Sequence, residues 1–304
     1  MPTRPLIHIG YHKTATTWMQ RQLFVPAHGY HQIATHEDVF EYMVEPHGLV
    51  FSPSSIQERI AAAYTSMAED QVPVISSEIL SGHPFFGGRE SDIYAARLAQ
   101  IAPDARILVS IRAQMKILPS VYMQYLLRGG TMRYTDFFSG ENPLGFFRFS
   151  PDHFKYDRLI GLYQSLFGAE NVHVLTQESL YADMEKTARD IAAFCDNSLF
   201  EKVQNTQQRE NASYPENAAH WLRRVNHFKK NVLNPTPTLN LGGGGDFLFR
   251  AVGAGFRSEL SKKLLGSPRP VSQFVAENFD GYYDNSNTRL AAVLGNRVDL
   301  SKYS

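Results

Sequence analysis

Short apolar runs alternate with amphipathic stretches between residues 5 and 194. Runs that fit buried strands lie at residues 5–9, 31–34, 72–77, 106–111 and 171–176. Stretches with helical periodicity lie at residues 16–24, 56–67, 92–101, 119–127, 156–167 and 181–194. Strands that alternate with helices are typical of parallel sheets covered by helices on both faces. The pattern therefore predicts an α/β fold of three layers around a central, mainly parallel sheet.

The last third of the chain has a weaker pattern. We expect a loop over residues 235–245, which includes four consecutive glycines at 242–245, then a helical run through residue 265 and a turn at 268–270. A length of 304 residues suits one large domain, so we expect residues 1–304 to form a single domain with an irregular part from about residue 215 to 304.

Composition narrows the classes of function. The chain has 30 basic and 30 acidic residues and no formal net charge, which disfavours a nucleic-acid-binding protein with a broad basic face. Its one cysteine, Cys195, cannot form an intramolecular disulfide and continues an apolar helical pattern, so we expect it to be buried. Neither a signal peptide nor an 18-residue apolar span is visible, and we expect a cytoplasmic protein without a membrane span.

The stretch from Gly10 to Trp18 joins the first predicted strand to the first predicted helix. Free backbone N–H groups and the positive end of the helix dipole make such a turn an anion site. Lys13 adds a full charge, and Thr14, Thr16 and Thr17 add hydroxyl groups. The turn is not a Walker A loop, because no second glycine precedes the lysine. We interpret it as a phosphate-binding loop; the alternative is an ordinary turn with a solvated lysine.

The order Lys13-Thr-Ala-Thr-Thr17 resembles the 5′-phosphosulfate loop of sulfotransferases that use 3′-phosphoadenosine 5′-phosphosulfate (PAPS). The family form is Lys-Ser/Thr-Gly-Thr-Thr, so Ala15 replaces a glycine and must adopt that glycine's backbone conformation. The resemblance implies a P-loop-like fold and PAPS as the sulfonate donor. The donor-binding residues that it implies here are His12, Lys13, Thr14, Ala15, Thr16, Thr17 and Trp18. For His12 a solvated loop position is the alternative, and for Trp18 a core position.

A second pair of residues matches the same family. Arg112 closes the predicted strand 106–111, and Ser120 follows eight residues later near the start of a predicted helix. A guanidinium and a hydroxyl at that spacing can meet over one phosphate. The resemblance assigns this pair to the 3′-phosphate of PAPS and suggests Arg209 as a further basic residue over the same phosphate. The alternative is a surface arginine and a capping serine.

The candidate general base is Glu78, which follows the strand predicted at 72–77. A carboxylate beside a phosphosulfate site could take the proton of an acceptor hydroxyl. Sulfotransferases that act on glycans and on protein tyrosine resemble this chain in using a Glu near this point, whereas members that act on small phenols use a His. His83 is therefore the rival base. A carboxylate placed by a helix dipole is the non-catalytic alternative for Glu78.

Together these residues predict a PAPS-dependent sulfotransferase whose acceptor carries a hydroxyl group. A carbohydrate is favoured because the candidate base is a glutamate and the aromatic loops are open, and a lipid or a small metabolite alcohol is the alternative acceptor. We expect no metal, and we expect the irregular C-terminal part to contribute to the acceptor site. The basic run 223–230 could attract an anionic acceptor, and the aromatic segment 134–149 and the glycine run could form lids. The alternatives are a P-loop nucleotide kinase, which would need Mg²⁺ and ATP, and a nucleotide-binding module without catalysis. The oligomeric state is not readable from the sequence.

Overall fold

A five-stranded sheet forms the centre of the molecule in the computed structural model, which describes residues 4–140, 148–203, 214–237, 239–258, 263 and 266–303. Its strands are β1 (Leu6–His8), β2 (Tyr30–Ala34), β3 (Val72–Ser76), β4 (Arg106–Ile111) and β5 (Val172–Thr176). They lie in the order β2-β3-β1-β4-β5, and every neighbouring pair is parallel. The predicted α/β class and parallel sheet are confirmed.

The two faces of the sheet pack into separate hydrophobic clusters. Ile7, Ile107 and Val109 belong to one cluster, while Leu6 and Leu108 belong to the other. Successive side chains of a strand point to opposite faces, so a strand buried on both sides must be apolar at nearly every position. That is why β1 and β4 appear in the sequence as continuous apolar runs, and why helices cover both faces in three layers.

The helices in chain order are α1 (Thr16–Trp18), α2 (His36–Val39), α3 (Pro53–Tyr64), α4 (Ser91–Ile101), α5 (Gln114–Leu127), α6 (Tyr134–Phe138), α7 (Tyr156–Phe167), α8 (Gln177–Ala182), α9 (Met184–Phe194), α10 (Ala219–Asn226), α11 (Gly243–Arg257), α12 (Pro270–Phe279) and α13 (Asp284–Leu294). A π-helical segment, Met19–Leu23, continues α1. No helix in the described ranges combines the length and apolar character needed to cross a membrane.

Two helix predictions differ from the structure. Helix α5 begins at Gln114 and carries Pro119 in its interior, although a proline usually marks a first turn. Burial of neighbouring side chains such as Ile117 and Leu118 stabilises the helix despite the hydrogen bond that the proline removes. The helix predicted at 181–194 is two helices, because Asp183 accepts a hydrogen bond from the backbone N–H of Lys186 and caps α9.

The C-terminal part is more helical than its sequence pattern indicates. Three of the four glycines at 242–245 lie in the first turn of α11, and α12 and α13 follow the predicted turn. In the aromatic segment 134–149, Phe137, Phe138 and Phe149 are buried in the core, so these three rings are not a lid. Two residues of the basic run also have structural partners. Arg223 donates to the backbone oxygen of Thr131, and Lys229 pairs with Asp246.

Two buried histidines make the stability of the folded protein depend on pH. His8 is fully buried in β1, with Nδ1 2.8 Å from Oγ of Ser76 and Nε2 3.1 Å from Oγ of Ser110. Burial lowers the pKa of His8 to about 4, against an opposing effect of the charge of Glu78. Burial likewise lowers the pKa of His153 to about 3. Both imidazoles are therefore neutral in the folded protein at pH 7.

We predict that acid destabilises the protein from about pH 6.5 downward, because the unfolded chain then takes up protons that the folded chain does not. For each buried histidine the loss is about 1.4 kcal/mol per pH unit, and it continues until the pH reaches that group's folded pKa. Replacing His8 by asparagine should remove one histidine's contribution, about 1.4 kcal/mol per pH unit, from the dependence of the unfolding free energy on pH. Urea unfolding at pH 7, 6 and 5 measures it; equal slopes for wild type and His8→Asn would contradict the prediction.

Candidate active site

The carboxyl ends of the parallel strands bring the predicted residues to one edge of the sheet. The loop after β1, Glu78 after β3, and Arg112 after β4 all lie there. Hydrogen bonds connect these elements. Arg112 Nη1 donates to the backbone oxygen of Lys13 at 3.4 Å, and Gln20 Nε2 donates to Glu78 Oε2 at 3.3 Å. Residues almost a hundred positions apart in the chain therefore share one site.

The loop after β1 is fastened to β4. The backbone N–H of Tyr11 donates to the oxygen of Ser110 at 2.8 Å, and the hydroxyls of Thr14 and Ser110 lie 2.6 Å apart. Thr14 also donates to the backbone oxygen of Tyr11, so its buried hydroxyl holds the loop together. Gly10 cannot carry a side chain, because a Cβ there would lie 2.7 Å from Cγ2 of Thr16 and 2.8 Å from Oγ of Ser110.

Two residues of the loop have left-handed backbone conformations. Lys13 has φ 67° and Ala15 has φ 70°. A residue with a Cβ costs about 1–2 kcal/mol in this region. Ala15 thus adopts the conformation that the glycine of the family motif would adopt without strain. Both left-handed residues directly precede the helical segment Thr16–Leu23.

We predict that Ala15→Gly leaves the protein as stable as the wild type or more stable by up to about 1 kcal/mol. Relief of the left-handed strain should offset the extra chain entropy of glycine, which is about 0.5–1 kcal/mol. The matched control is Ala61→Gly on the exposed face of α3, which should lose about 1 kcal/mol. Denaturant midpoints measure both variants. A loss at position 15 as large as that at position 61 would show that Ala15 carries no strain.

The first helical turn after the loop begins without a side-chain cap. Ala15 is the N-cap residue of α1, and no side chain accepts a hydrogen bond from the first N–H groups. Thr16 is buried and Thr17 is half-buried. Trp18 is only 4% exposed and packs in a hydrophobic cluster with Met19, so its ring occupies the core position weighed as an alternative.

Two cations lie together at the loop without an ion pair. Among the described residues, neither the Lys13 ammonium nor the Arg112 guanidinium has a carboxylate within salt-bridge distance. Burial, and then the charge of Arg112, lower the pKa of Lys13; the charge of Glu78 opposes them. Nε of Arg112 is buried with no hydrogen-bond partner. Such a pair of incompletely compensated donors fits an anion.

The Arg112–Ser120 pair forms as the sequence predicts. Arg112 Nη1 donates to Ser120 Oγ at 3.0 Å, and Ser120 in turn donates to the backbone oxygen of Lys116. Ser120 lies in the second turn of α5, not at its start. It also borders a cavity of about 320 Å³ that Arg269 lines. Arg209 lies outside the described residues.

A second cavity, of about 390 Å³, opens beside Glu78; we call it the Glu78 pocket. It is lined by His12, His36, Phe40, Glu78, Ile79, His83, Pro84, Phe85, Phe86, Gln124, Arg128, Val232 and Leu233. No group of three or more His, Cys, Asp or Glu residues within the described ranges has an arrangement suited to a metal ion.

The two histidines of the loop region are neutral in this pocket at pH 7. Burial, followed by the charges of His83 and other neighbours, lowers the pKa of His12 to about 3. Burial and the charge of Arg128 lower the pKa of His83 to about 4. Nδ1 of His83 accepts a hydrogen bond from the backbone N–H of Phe85, so the proton of its neutral ring is on Nε2. The ring therefore presents a donor, whereas Glu78 presents carboxylate oxygens.

The solved structures that are similar to this chain include two sulfotransferases. A sulfotransferase from Alicyclobacillus acidocaldarius has 16% sequence identity and a TM-score of 0.56, over 99% of this chain and 98% of that chain. The chain has the sulfotransferase fold. Mouse sulfotransferase SULT7A1 complexed with PAP has 13% identity and a TM-score of 0.39, over 94% of this chain and 88% of that chain. No family model and no curated protein sequence matches.

Within this sulfotransferase fold, four polar residues at the site were missed by sequence reasoning. Gln177 donates to the backbone oxygen of Lys13 at 2.9 Å, and Gln20 donates to Glu78. Gln124 and Arg128 line the Glu78 pocket from α5 and its C-cap. Gln177 directly follows β5, so its position at a strand end could have identified it as a site residue. The other three lie on or just beyond helical segments, and only the packing of those segments brings them to the site.

Proposed function

We propose that this protein is a sulfotransferase that moves a sulfonate group from PAPS to an acceptor hydroxyl. The observation that carries the proposal is the pair Lys13 and Arg112. Both are partly buried cations on the same loop edge, they lack ion pairs among the described residues, and Glu78 lies on the adjacent strand end. The sulfotransferase fold supports the same conclusion.

The residues fit a nucleotide with two phosphates. The loop N–H groups around Ala15–Thr17, together with Lys13, would hold the 5′-phosphosulfate, because N–H groups at a helix start favour negative charge. Arg112 and Ser120 would hold the 3′-phosphate, because a guanidinium and a hydroxyl both donate to phosphate oxygens. Arg269 lines the same cavity as Ser120. It would therefore take the role expected of Arg209, a second basic residue over the 3′-phosphate.

When bound, PAPS would supply the sulfonate group and a phosphate oxygen as leaving group. Glu78 would take the proton from the acceptor hydroxyl as the new O–S bond forms and the old S–O bond breaks. The electron pair of the broken bond stays on the leaving phosphate oxygen, and Lys13 would stabilise the charge that develops there. Gln20 would orient the Glu78 carboxylate through its hydrogen bond to Oε2.

We predict opposite selectivity for two donor-site variants. Arg112→Ala should weaken binding of adenosine 3′,5′-bisphosphate by about 10- to 100-fold, since a charged hydrogen bond contributes about 1.5–3 kcal/mol, but leave adenosine 5′-monophosphate binding nearly unchanged. Lys13→Met should weaken both nucleotides. Calorimetry measures all four affinities.

Arg106→Ala, at the opposite end of β4, is the matched control and should change neither affinity. Equal loss of both nucleotides in Arg112→Ala would contradict the assignment of Arg112 to the 3′-phosphate. ATP with Mg²⁺ is the competing ligand in the same experiment. Tighter binding of ATP·Mg²⁺ than of the bisphosphate would favour the nucleotide-kinase alternative.

We predict that Glu78→Gln lowers the turnover of sulfonate transfer at least about 100-fold while retaining bisphosphate binding, because general base catalysis contributes about 10²–10⁴-fold. His83→Asn is the comparison, since an asparagine can keep the local turn to residue 85. Transfer from radiolabelled PAPS to a panel of alcohols, phenols and sugars gives the rates. A larger loss of turnover in His83→Asn than in Glu78→Gln would identify His83 as the base. Unchanged turnover in both variants would favour a nucleotide-binding module without catalysis.

A further inference from the structure

The lining of the Glu78 pocket is more apolar than the binding of a polyhydroxylated sugar requires. Seven of its lining side chains are apolar: Phe40, Ile79, Pro84, Phe85, Phe86, Val232 and Leu233. Pockets of about 300–1,000 Å³ lined this way, with a few polar groups, suit compact apolar ligands. Its volume of about 390 Å³ is at the small end of that range. A bicyclic ring system fits it better than an extended glycan chain.

Arg128 gives this apolar pocket a fixed positive charge. Its side chain is exposed, lines the pocket, and has neither a hydrogen bond nor an ion pair within the described part of the chain. Burial is the main cause of the lowered pKa values of His12 and His83, and the charge of Arg128 lowers both further. The guanidinium charge is therefore felt inside the pocket, where no carboxylate pairs with it.

The segment 231–234 is tied to the C-terminal end of α5 and holds this arrangement in place. The backbone N–H of Leu233 donates to the oxygen of Arg128 at 3.3 Å, and Asn226 Nδ2 donates to the oxygens of Leu126 and Gly130 at 2.8 Å. Gly129 (φ 96°) has no room for a Cβ, which would lie 2.4 Å from Cβ of Asn231. The position of Arg128 beside the apolar wall is thus built into the fold.

Two residues that line the pocket have buried polar atoms without a partner. Oε1 of Gln124 and Nδ1 of His12 make no hydrogen bond to any of the described residues. Leaving such atoms unpaired costs about 1–3 kcal/mol each, so a ligand hydroxyl at this point would be favoured. The hydroxyl would then lie in the same pocket as the Glu78 carboxylate.

We propose that the acceptor is a hydroxyl compound with an apolar, ring-sized body and one anionic group, and that Arg128 binds that anionic group. The inference rests on the proposed function, because it makes the Glu78 pocket the acceptor site. It replaces the carbohydrate favoured by the sequence with an apolar hydroxy acid. The apolar wall contributes affinity, and Arg128 selects the charged compound over its neutral analogue.

The test measures binding to the protein saturated with adenosine 3′,5′-bisphosphate, so it does not depend on turnover. The probes are 6-hydroxy-2-naphthoate, 2-naphthol as its uncharged analogue, and chitobiose as a sugar. We expect the naphthoate to bind at least about 10-fold more tightly than the naphthol, which is the ratio that about 1.4 kcal/mol from one charged contact would produce. Arg128→Gln should abolish that ratio without weakening the naphthol.

Two variants sharpen the result. Arg133→Gln, an exposed arginine that does not line the pocket, should leave the ratio intact. Phe86→Ala should weaken both naphthalene probes equally, because it removes apolar wall and no charge. Equal binding of the two probes, an unchanged ratio in Arg128→Gln, or preferential binding of chitobiose overturns the proposal. Naphthoate selectivity without bisphosphate binding would instead overturn the proposed function and leave an anion-selective pocket.

Discussion

The rest of this site depends on positive charge held at a sheet edge with no ion-pair partner among the described residues. Lys13 is kept there by a loop that is hydrogen-bonded to β4 and bent through two left-handed residues. Arg112 is kept there by Ser120 and by the hydrogen bond from Tyr156 to its backbone oxygen. Burial makes the positive charges costly, which the depressed pKa of Lys13 reflects. An anionic ligand between them would remove that cost.

The same edge also separates two chemical environments. On the side of Arg112, the guanidinium bonded to Ser120 offers donors that suit phosphate. On the side of Glu78 the wall is largely apolar, and the imidazoles of His12 and His83 are neutral at pH 7. An apolar, weakly hydrated environment strengthens the effect of the few charges that remain, Glu78 and Arg128. The proposed reaction between a charged donor and an apolar acceptor would need both environments within reach of Lys13.

Much of this arrangement was predictable from local patterns. The strand candidates in the sequence correspond to all five strands of the sheet. Because a parallel sheet was expected, the sequence also predicted that Gly10, Glu78 and Arg112 would lie at the same edge. The eight-residue spacing of Arg112 and Ser120 predicted a contact that exists. Errors came where a tertiary contact outweighed a local preference. Pro119 lies inside α5 because its neighbours are buried, and Asp183 divides a helix that periodicity alone makes continuous.

The sequence by itself determined the sheet, the strand–turn–helix at Gly10–Trp18 and the residues at the strand ends, because these follow from apolar periodicity and from side chains close together in the chain. Only the tertiary structure decided the core position of Trp18 and the character of the Glu78 pocket. That pocket combines residues from positions 12 to 233, and its wall exists only once segment 231–234 is bonded to the end of α5. Contacts between residues so far apart have no local signal, because they depend on how buried elements pack against one another.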